Sequence, residues 1–259
     1  MSTLNISLLQ ADLSWENPQE NVSYFSNQIE KINGTTDLIF LPEMFTTGFS
    51  MNAVDLAEEM DGPSVNWMKK TAMEKKSAVV GSIIIKENNQ FYNRLIFMFP
   101  SGEFQCYDKK HTFTLAKEHE TYSSGTKKII VEYKGWKICP LICYDLRFPV
   151  WARNVENYDL LLYVASWPEK RINAWDALLK ARAIENMSYT IGVNRIGKDG
   201  NNYDYVGHSI ICDCLGNPLS KELNENEEII SVQITKDYQE EIRNKLGFLK
   251  DRDNFTFIN

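Results

Sequence analysis

The segment Ile138–Pro149 reads Ile-Cys-Pro-Leu-Ile-Cys-Tyr-Asp-Leu-Arg-Phe-Pro and joins two kinds of secondary structure. Its apolar first half predicts a buried strand over Trp136–Ile142. The residues after Cys143 predict a short helix over Phe148–Asn154. A buried strand that leads directly into a helix is typical of a layered α/β domain.

The same alternation of apolar runs and amphipathic segments continues along the whole chain. We predict further strands over Leu4–Leu9, Leu38–Leu41, Ala78–Ile85, Phe91–Phe99, Leu160–Val164, Thr190–Val193, His208–Cys212 and Ile229–Gln233. We predict further helices over Pro18–Ile32, Pro63–Lys75, Ile172–Met187 and Tyr238–Lys245. No repeat or Pro/Gly/Ser linker marks a boundary, so we predict one α/β domain over residues 1–259.

Composition excludes several classes of function. The net charge of -7 and a sequence pI of about 5.2 argue against nucleic acid or an anionic membrane as partner, because both need a basic face. No apolar run approaches the length of a membrane span, and the amino terminus lacks the features of a signal peptide. Five cysteines, an odd number, argue against a disulfide framework and favour a reducing, cytoplasmic location.

Three reactive side chains follow apolar runs. In α/β sheets, functional residues commonly lie just beyond the carboxyl ends of the strands. Glu43 follows Leu38–Leu41, and burial beside that strand would raise the pKa of a base. Lys110 follows Lys109 at the end of a short strand, and Cys143 stands at a strand-to-helix turn that suits a nucleophile. Each has a structural alternative. Glu43 would be a turn residue that holds a backbone amide, the two lysines would be a solvated pair, and Cys143 would be an inert core thiol.

Metal chemistry is not indicated by the remaining cysteines and histidines. Cys212 and Cys214 have the wrong spacing for a zinc knuckle, and no second pair completes four ligands. Cys106 and Cys139 lie inside predicted strands and are interpreted as structural. With only three histidines in the chain, we predict no metal site.

The three segments together resemble the signatures of the nitrilase superfamily, the carbon–nitrogen hydrolases. The matching segments are Leu41-Pro42-Glu43, Asp108-Lys109-Lys110-His111, Leu141–Pro149, Ala181–Asn186 and Gly192–Arg195. The first three occur in the family's order of Glu, Lys and Cys, and the resemblance covers essentially the whole chain. It implies a four-layer αββα sandwich, association into a homodimer through outer helices, and no cofactor.

The resemblance also implies the catalytic residues. The family's triad corresponds here to Glu43, Lys110 and Cys143. A further catalytic glutamate of many members corresponds to Glu118, with Glu120 as a neighbouring alternative. The implied chemistry is attack of the cysteine on a small-molecule amide, through a thioester intermediate.

Within the superfamily, the chain looks most like the ω-amidase branch, the YafV-like group. This resemblance implies hydrolysis of the terminal amide of dicarboxylic acid monoamides such as α-ketoglutaramate and α-ketosuccinamate. The substrate carboxylate needs a cation, for which Arg147, Arg171 and Arg195 are candidates. Tyr144 and Trp167 are candidates for apolar walls, and Ser166 stands where many relatives carry Asn.

Several alternatives remain at this point. His111 or His119 would serve as base in a Cys–His arrangement. An N-carbamoyl or other aliphatic amidohydrolase would share the same triad, and a binding protein would share only the fold. The aromatic tail Phe248–Asn259 is a candidate contact with a partner subunit.

Overall fold

The computed structural model describes residues 2–220 and 225–257. Met1, residues 221–224 and residues 258–259, the end of the aromatic tail, lie outside the described residues. The strands are β1 (Thr3–Gln10), β2 (Leu38–Phe40), β3 (Ala78–Glu87), β4 (Gln90–Met98), β5 (Phe104–Asp108), β6 (Val131–Tyr133), β7 (Trp136–Ile142), β8 (Leu160–Ala165), β9 (Tyr189–Asn194), β10 (Ile196–Lys198), β11 (Asp204–Val206), β12 (Ile210–Cys212) and β13 (Glu228–Thr235). The α-helices are α1 (Pro18–Glu30), α2 (Ala53–Leu56), α3 (Pro63–Lys75), α4 (Glu118–Thr121), α5 (Pro149–Ala152), α6 (Ile172–Asn186) and α7 (Lys236–Leu246).

The strands form two mixed sheets of similar plan. In the first, the order is β13-β1-β2-β3-β4-β5, and β1, β2 and β3 are parallel. In the second, the order is β12-β9-β8-β7-β6, and β7, β8 and β9 are parallel. In both sheets, antiparallel strands flank the three central parallel strands. Strands β10 and β11 form a separate hairpin. Each sheet therefore has a group of parallel strands whose carboxyl ends meet at one edge.

The two sheets pack face to face and are covered by helices. Alternate residues of the first sheet, such as Ile6 and Phe40, share a core with Ile138 of the second. Ile39, which points the other way, packs with Phe25 of α1 and with α3. These contacts place one layer of helices outside the first sheet.

Helix α6 covers the outer face of the second sheet. Gly192 of β9 permits this close contact, because a Cβ there would lie 2.5 Å from Leu179 Cδ1 and 2.6 Å from Trp175 Cζ2. The order of layers is thus helix, sheet, sheet, helix. The αββα sandwich predicted from the family resemblance is confirmed.

Most predicted elements occur close to their predicted positions, and the differences concern short elements. The predicted helix over Phe148–Asn154 is instead a 3₁₀ helix over Cys143–Arg147 followed by α5. The hairpin β10–β11 and the one-turn helices α2 and α4 were not predicted, since elements of three or four residues are too short to show a period. No helix among the described residues has the length and apolar character needed to span a membrane.

Candidate active site

The site lies where the carboxyl ends of the parallel strands in the two sheets meet. Glu43 follows β2, Cys143 follows β7 and Ser166 follows β8. The backbone N–H of Glu43 donates to the carbonyl of Ala165 at 3.4 Å, which connects the two sheets at this edge. Residues more than 120 positions apart in the sequence are therefore neighbours.

Cys143 occupies a turn with unusual backbone geometry. Its φ of +42° lies in the left-handed region, which non-glycine residues seldom adopt. The Asp145 carboxylate holds this turn by accepting the N–H of Ile142 at 3.1 Å and the hydroxyl of Tyr107 at 2.7 Å. The strained turn presents the Cys143 thiol at the cavity wall, where its Sγ lies 3.9 Å from the carbonyl oxygen of Ser166.

The surroundings of the Cys143 thiol favour its protonated form. Burial raises the pKa of Cys143 well above its ordinary value, and the negative charge of Glu43 raises it further. The ammonium of Lys109 opposes this rise. The thiol therefore needs a base at the moment of reaction.

The Glu43 carboxylate is fully buried and held on both oxygens. Oε1 accepts hydrogen bonds from Asn93 Nδ2 at 2.7 Å and Lys109 Nζ at 2.8 Å. Oε2 accepts the backbone N–H of Ser166 at 2.8 Å. The charge of Glu43 acts on the thiol and raises the pKa of Cys143, so Glu43 lies where a base is needed.

Lys109 lies between two buried carboxylates. Its Nζ donates to Glu43 and to both oxygens of Glu118, at 3.0 and 2.9 Å. Burial by itself would lower the pKa of Lys109, but the charges of Glu118 and Glu43 raise it above its ordinary value. Burial raises the pKa of Glu118, and the Lys109 ammonium partly offsets that rise. The side chain of Lys109 is therefore a fixed cation beside the nucleophile.

The prediction of Lys110 as the site lysine is wrong. Side chains alternate along β5 and its extension, so Lys109 shares the inward face of buried Tyr107. Lys110 points away, and its Nζ lies 5.6 Å from the centre of the Trp151 ring. The sequence shows two adjacent lysines and does not distinguish them. The structure does, because Tyr107 is buried and Lys109, two residues later, lies on the same face.

The assignment of Glu118 rather than Glu120 agrees with the geometry. The Glu118 side chain is fully buried at the start of α4, and its Oε2 also accepts the N–H of Phe113. Glu120 is exposed and lies 4.0 Å from Lys117. The structure thus brings Glu118, and not its neighbour, to Lys109.

Neither candidate histidine reaches the site. His111 Nδ1 is 2.7 Å from Asp145 Oδ1, and its ring stacks on Phe148 with centroids 3.6 Å apart. His119 is exposed. Neither side chain is among the residues that line the cavity, and the Cys–His arrangement therefore has no geometric basis among the described residues.

A cavity of about 460 Å³, a size suited to a small molecule, opens beside Cys143. Of the residues predicted to bind substrate, Tyr144, Arg147, Trp167 and Arg171 line it. The Arg147 guanidinium lies 4.9 Å from the Trp167 ring centre, and that of Arg171 lies 5.0 Å from the ring centre of Phe113. Among the described residues neither guanidinium has a carboxylate partner, so both are available to an anionic ligand.

The prediction that Arg195 binds substrate is wrong. Its side chain is fully buried behind the cavity, where Nη2 pairs with Asp12 at 2.9 Å. The same guanidinium donates to the backbone carbonyls of Leu13, Ile196 and Lys198. Arg195 therefore holds the start of the β10–β11 hairpin in place and does not face the ligand space.

The structure adds site residues for which the sequence predicted no role. The β10–β11 hairpin and its loop bring Asp199 and Tyr205 to the cavity, and the Tyr205 hydroxyl donates to Asp199 at 2.9 Å. Asn93 and Ser166 hold Glu43. None of these residues had a motif of its own, although Ser166 stood out as a departure from the family.

The paired charges lead to a prediction about stability. Replacing Lys109 by Met should lower the free energy of unfolding by about 3–5 kcal/mol at pH 7, because two buried carboxylates lose their cation. Lys110→Met should change it by less than about 0.5 kcal/mol. Urea denaturation of the two variants measures the difference, and equal losses would contradict the assignment.

The pH dependence of this loss follows from the same charges. Removing Lys109 removes the interaction that offsets the burial of Glu118, so the folded-state pKa of Glu118 should rise further above its unfolded value and the deficit should grow as pH rises. The deficit should shrink as pH falls through the folded-state pKa of Glu118, because protonation removes the unpaired charge. Denaturation at about pH 5 tests this trend.

Comparison with known proteins agrees with this geometry. The sequence model of the carbon–nitrogen hydrolase family matches residues 5–244. The chain is 42% identical over 255 residues to omega-amidase YafV of Escherichia coli K12, covering 98% of this chain and 99% of that protein. It is 35% identical to 2-oxoglutaramate amidase of Bacillus subtilis, covering 95% and 96%.

A solved structure supports the same relationship. The CN-hydrolase superfamily protein XC1258 of Xanthomonas campestris, crystallised with an arsenic adduct in its active site, superposes with a TM-score of 0.96. It is 42% identical, and the match covers 99% of this chain and 100% of that one. The chain therefore belongs to the carbon–nitrogen hydrolase family, the nitrilase superfamily.

Proposed function

We propose that this protein is an ω-amidase that hydrolyses the terminal amide of dicarboxylic acid monoamides to the diacid and ammonia. α-Ketoglutaramate and α-ketosuccinamate are the expected substrates. The observation that carries the proposal is the cavity itself, in which Cys143 lies near two guanidinium groups without carboxylate partners. The names of the relatives in Escherichia coli and Bacillus subtilis support the same activity.

In the first half of the reaction, Glu43 takes the proton of the Cys143 thiol as sulfur attacks the amide carbon. The oxyanion forms beside Lys109 Nζ, and the backbone N–H of Tyr144 is the second donor. Collapse of the tetrahedral intermediate breaks the carbon–nitrogen bond. Glu43 returns the proton to the leaving nitrogen, which departs as ammonia and leaves a thioester on Cys143.

In the second half, water replaces ammonia. Glu43 removes a proton from the water as the water oxygen attacks the thioester carbon, and the same cation stabilises the second oxyanion. The carbon–sulfur bond then breaks and the proton passes to sulfur. Glu118 orients the Lys109 ammonium throughout, since it holds Nζ with both carboxylate oxygens.

Arg147 and Arg171 are the proposed ligands of the substrate carboxylate. A guanidinium donates two parallel N–H bonds to a carboxylate, and stacking on Trp167 and Phe113 limits the motion of each one. Tyr144 and Trp167 form walls against the methylene chain. An anionic substrate would therefore bind with its carboxylate at the arginines and its amide at Cys143.

The first experiment measures ammonia release from α-ketoglutaramate, with succinamate and N-carbamoyl-β-alanine in parallel. We expect turnover of the first two, with Cys143→Ala and Glu43→Gln reducing it by at least ~10³-fold because each removes a chemical step. Cys106→Ala is the matched control and should retain activity, since that thiol lies away from the cavity.

The parallel substrates distinguish the alternatives. Turnover of the carbamoyl compound alone would keep the triad and replace the substrate class. Absence of ammonia release from all three would leave the family assignment and refute the ω-amidase.

The arginine assignment gives a second kinetic prediction. Arg147→Met and Arg171→Met should each lower kcat/KM for α-ketoglutaramate about 10- to 100-fold, since each loses a charge-assisted hydrogen bond. Butyramide, an aliphatic amide without a carboxylate, should be affected much less. Lys180→Met, the same change of charge at an exposed position, is the control. Equal losses on both amides would reject the carboxylate contact.

We also propose a homodimer formed through outer helices and the carboxy-terminal tail. Val150 of α5 and Ile184 of α6 are 54% and 52% exposed, which is high for large apolar side chains. Phe257 of the tail lies 5.1 Å from the Trp151 ring and is still 49% exposed. The tail thus extends an apolar surface next to α5.

Truncation after Gly247 tests the role of the tail. We expect the mass measured by light scattering to fall from dimer toward monomer, because the truncation removes the aromatic part of the surface. Val54→Ser, at an 81% exposed position on α2, controls for loss of an exposed apolar side chain. An unchanged dimer mass in the truncated protein would reject the tail contact.

Two further proposals concern the chain as a whole. We propose that residues 1–259 form one hydrolase domain, since the family match spans residues 5–244. We also propose a cytoplasmic location, because a reducing compartment keeps the nucleophilic thiol of Cys143 free. The cysteines among the described residues are all unpaired, as such a compartment requires.

A further inference from the structure

Asn93 lies at the centre of the buried charge cluster, although it belongs to none of the signature segments. It is in β4 opposite Ile84, and its side chain is 1% exposed. Its backbone carbonyl accepts the N–H of Lys109 at 3.0 Å. One residue therefore fixes the backbone of Lys109 and reaches the carboxylates around that lysine.

The side-chain amide of Asn93 donates to both carboxylates. Nδ2 lies 2.7 Å from Glu43 Oε1 and 3.3 Å from Glu118 Oε1. Lys109 Nζ contacts the same two oxygens, at 2.8 and 3.0 Å. Two buried carboxylates thus share one charged donor and one neutral donor.

The orientation of the amide is fixed by these contacts. In the reverse orientation, the Asn93 carbonyl oxygen would face two carboxylate oxygens, which is electrostatically unfavourable. Oδ1 is buried and has no hydrogen-bond partner among the described residues. A buried acceptor without a partner carries a free-energy penalty, so the contacts of Nδ2 offset a cost at this position.

A neutral donor has a particular effect in this cluster. Two carboxylates face one ammonium group, that of Lys109. The thiol of Cys143 and the hydroxyl of Tyr122 also interact with these carboxylates. An amide N–H can hold a carboxylate oxygen without adding a further charge beside Lys109.

We propose that Asn93 is a positioning residue of the reaction, whose amide holds the Glu43 carboxylate oriented toward Cys143. The hydrogen bond to Glu43 is shorter than that to Glu118, so the orientation of Glu43 depends more on it. The proposal rests on the cysteine hydrolase mechanism given above. It assigns to Asn93 no contact with substrate and no proton transfer.

The test compares pH profiles of Asn93→Ala and Asn93→Leu with the wild type. Both variants remove the donor, and Leu also fills the space. Two rates are measured between about pH 5 and pH 9: kcat/KM for α-ketoglutaramate, and alkylation of Cys143 by iodoacetamide, located by peptide mass spectrometry. The second rate depends on the transfer of the thiol proton to Glu43 and needs no substrate.

We expect both rates to fall by about 10-fold or more across this pH range in the Asn93 variants, while KM for α-ketoglutaramate changes little. The reason is that a carboxylate that has lost its donor is no longer held in place to take the thiol proton. Leu95→Ala, at a buried position two residues along the same face of β4, is the control. It should lower stability and leave both rates unchanged.

An unchanged alkylation rate of Cys143 in the Asn93 variants, or an equal loss of rate in Leu95→Ala, would overturn the proposal. Asn93→Ser, whose hydroxyl is too short to reach both carboxylates, provides the measurement if the apolar variants unfold. If the wild type releases no ammonia, the ω-amidase is refuted, and the alkylation profile still decides the role of Asn93.

Discussion

The ammonium group of Lys109 is buried between two carboxylates, and the arrangement of the site depends on this contact. An ion removed from water costs several kcal/mol unless it is paired and hydrogen-bonded. Here Glu43 supplies one oxygen and Glu118 supplies two. The three residues come from the ends of β2 and β5 and from α4, so these segments must meet for the charges to be compensated.

The nucleophile is tied to this cluster by main-chain groups of Ser166. Its N–H holds Glu43 Oε2, and its carbonyl accepts from Cys143 Sγ. The Ser166 hydroxyl donates to the backbone carbonyl of Glu43 at 3.3 Å. Since the backbone makes both contacts with the reactive groups, Ser is compatible with the site where many relatives carry Asn.

The arginines show how a charged residue near a motif takes different roles. Arg147 and Arg171 line the cavity, and each guanidinium lies over an aromatic ring. Arg195 pairs with Asp12, a residue 183 positions away in the sequence. An arginine that has a carboxylate partner in the protein has a structural role, and one without such a partner is available to a ligand. For Arg195, the partner comes from a distant part of the chain.

The sequence alone determined the α/β alternation, the family, and the positions of Glu43 and Cys143 at strand ends, because local period and polarity encode these features. Only the tertiary structure decided between Lys109 and Lys110, since the face of a side chain beyond a strand depends on what that strand packs against. It also brought Asn93 to the carboxylates from a strand with no motif. Short-range sequence patterns indicate where strands end. The compensation of a buried charge instead requires partners that lie far apart in the sequence.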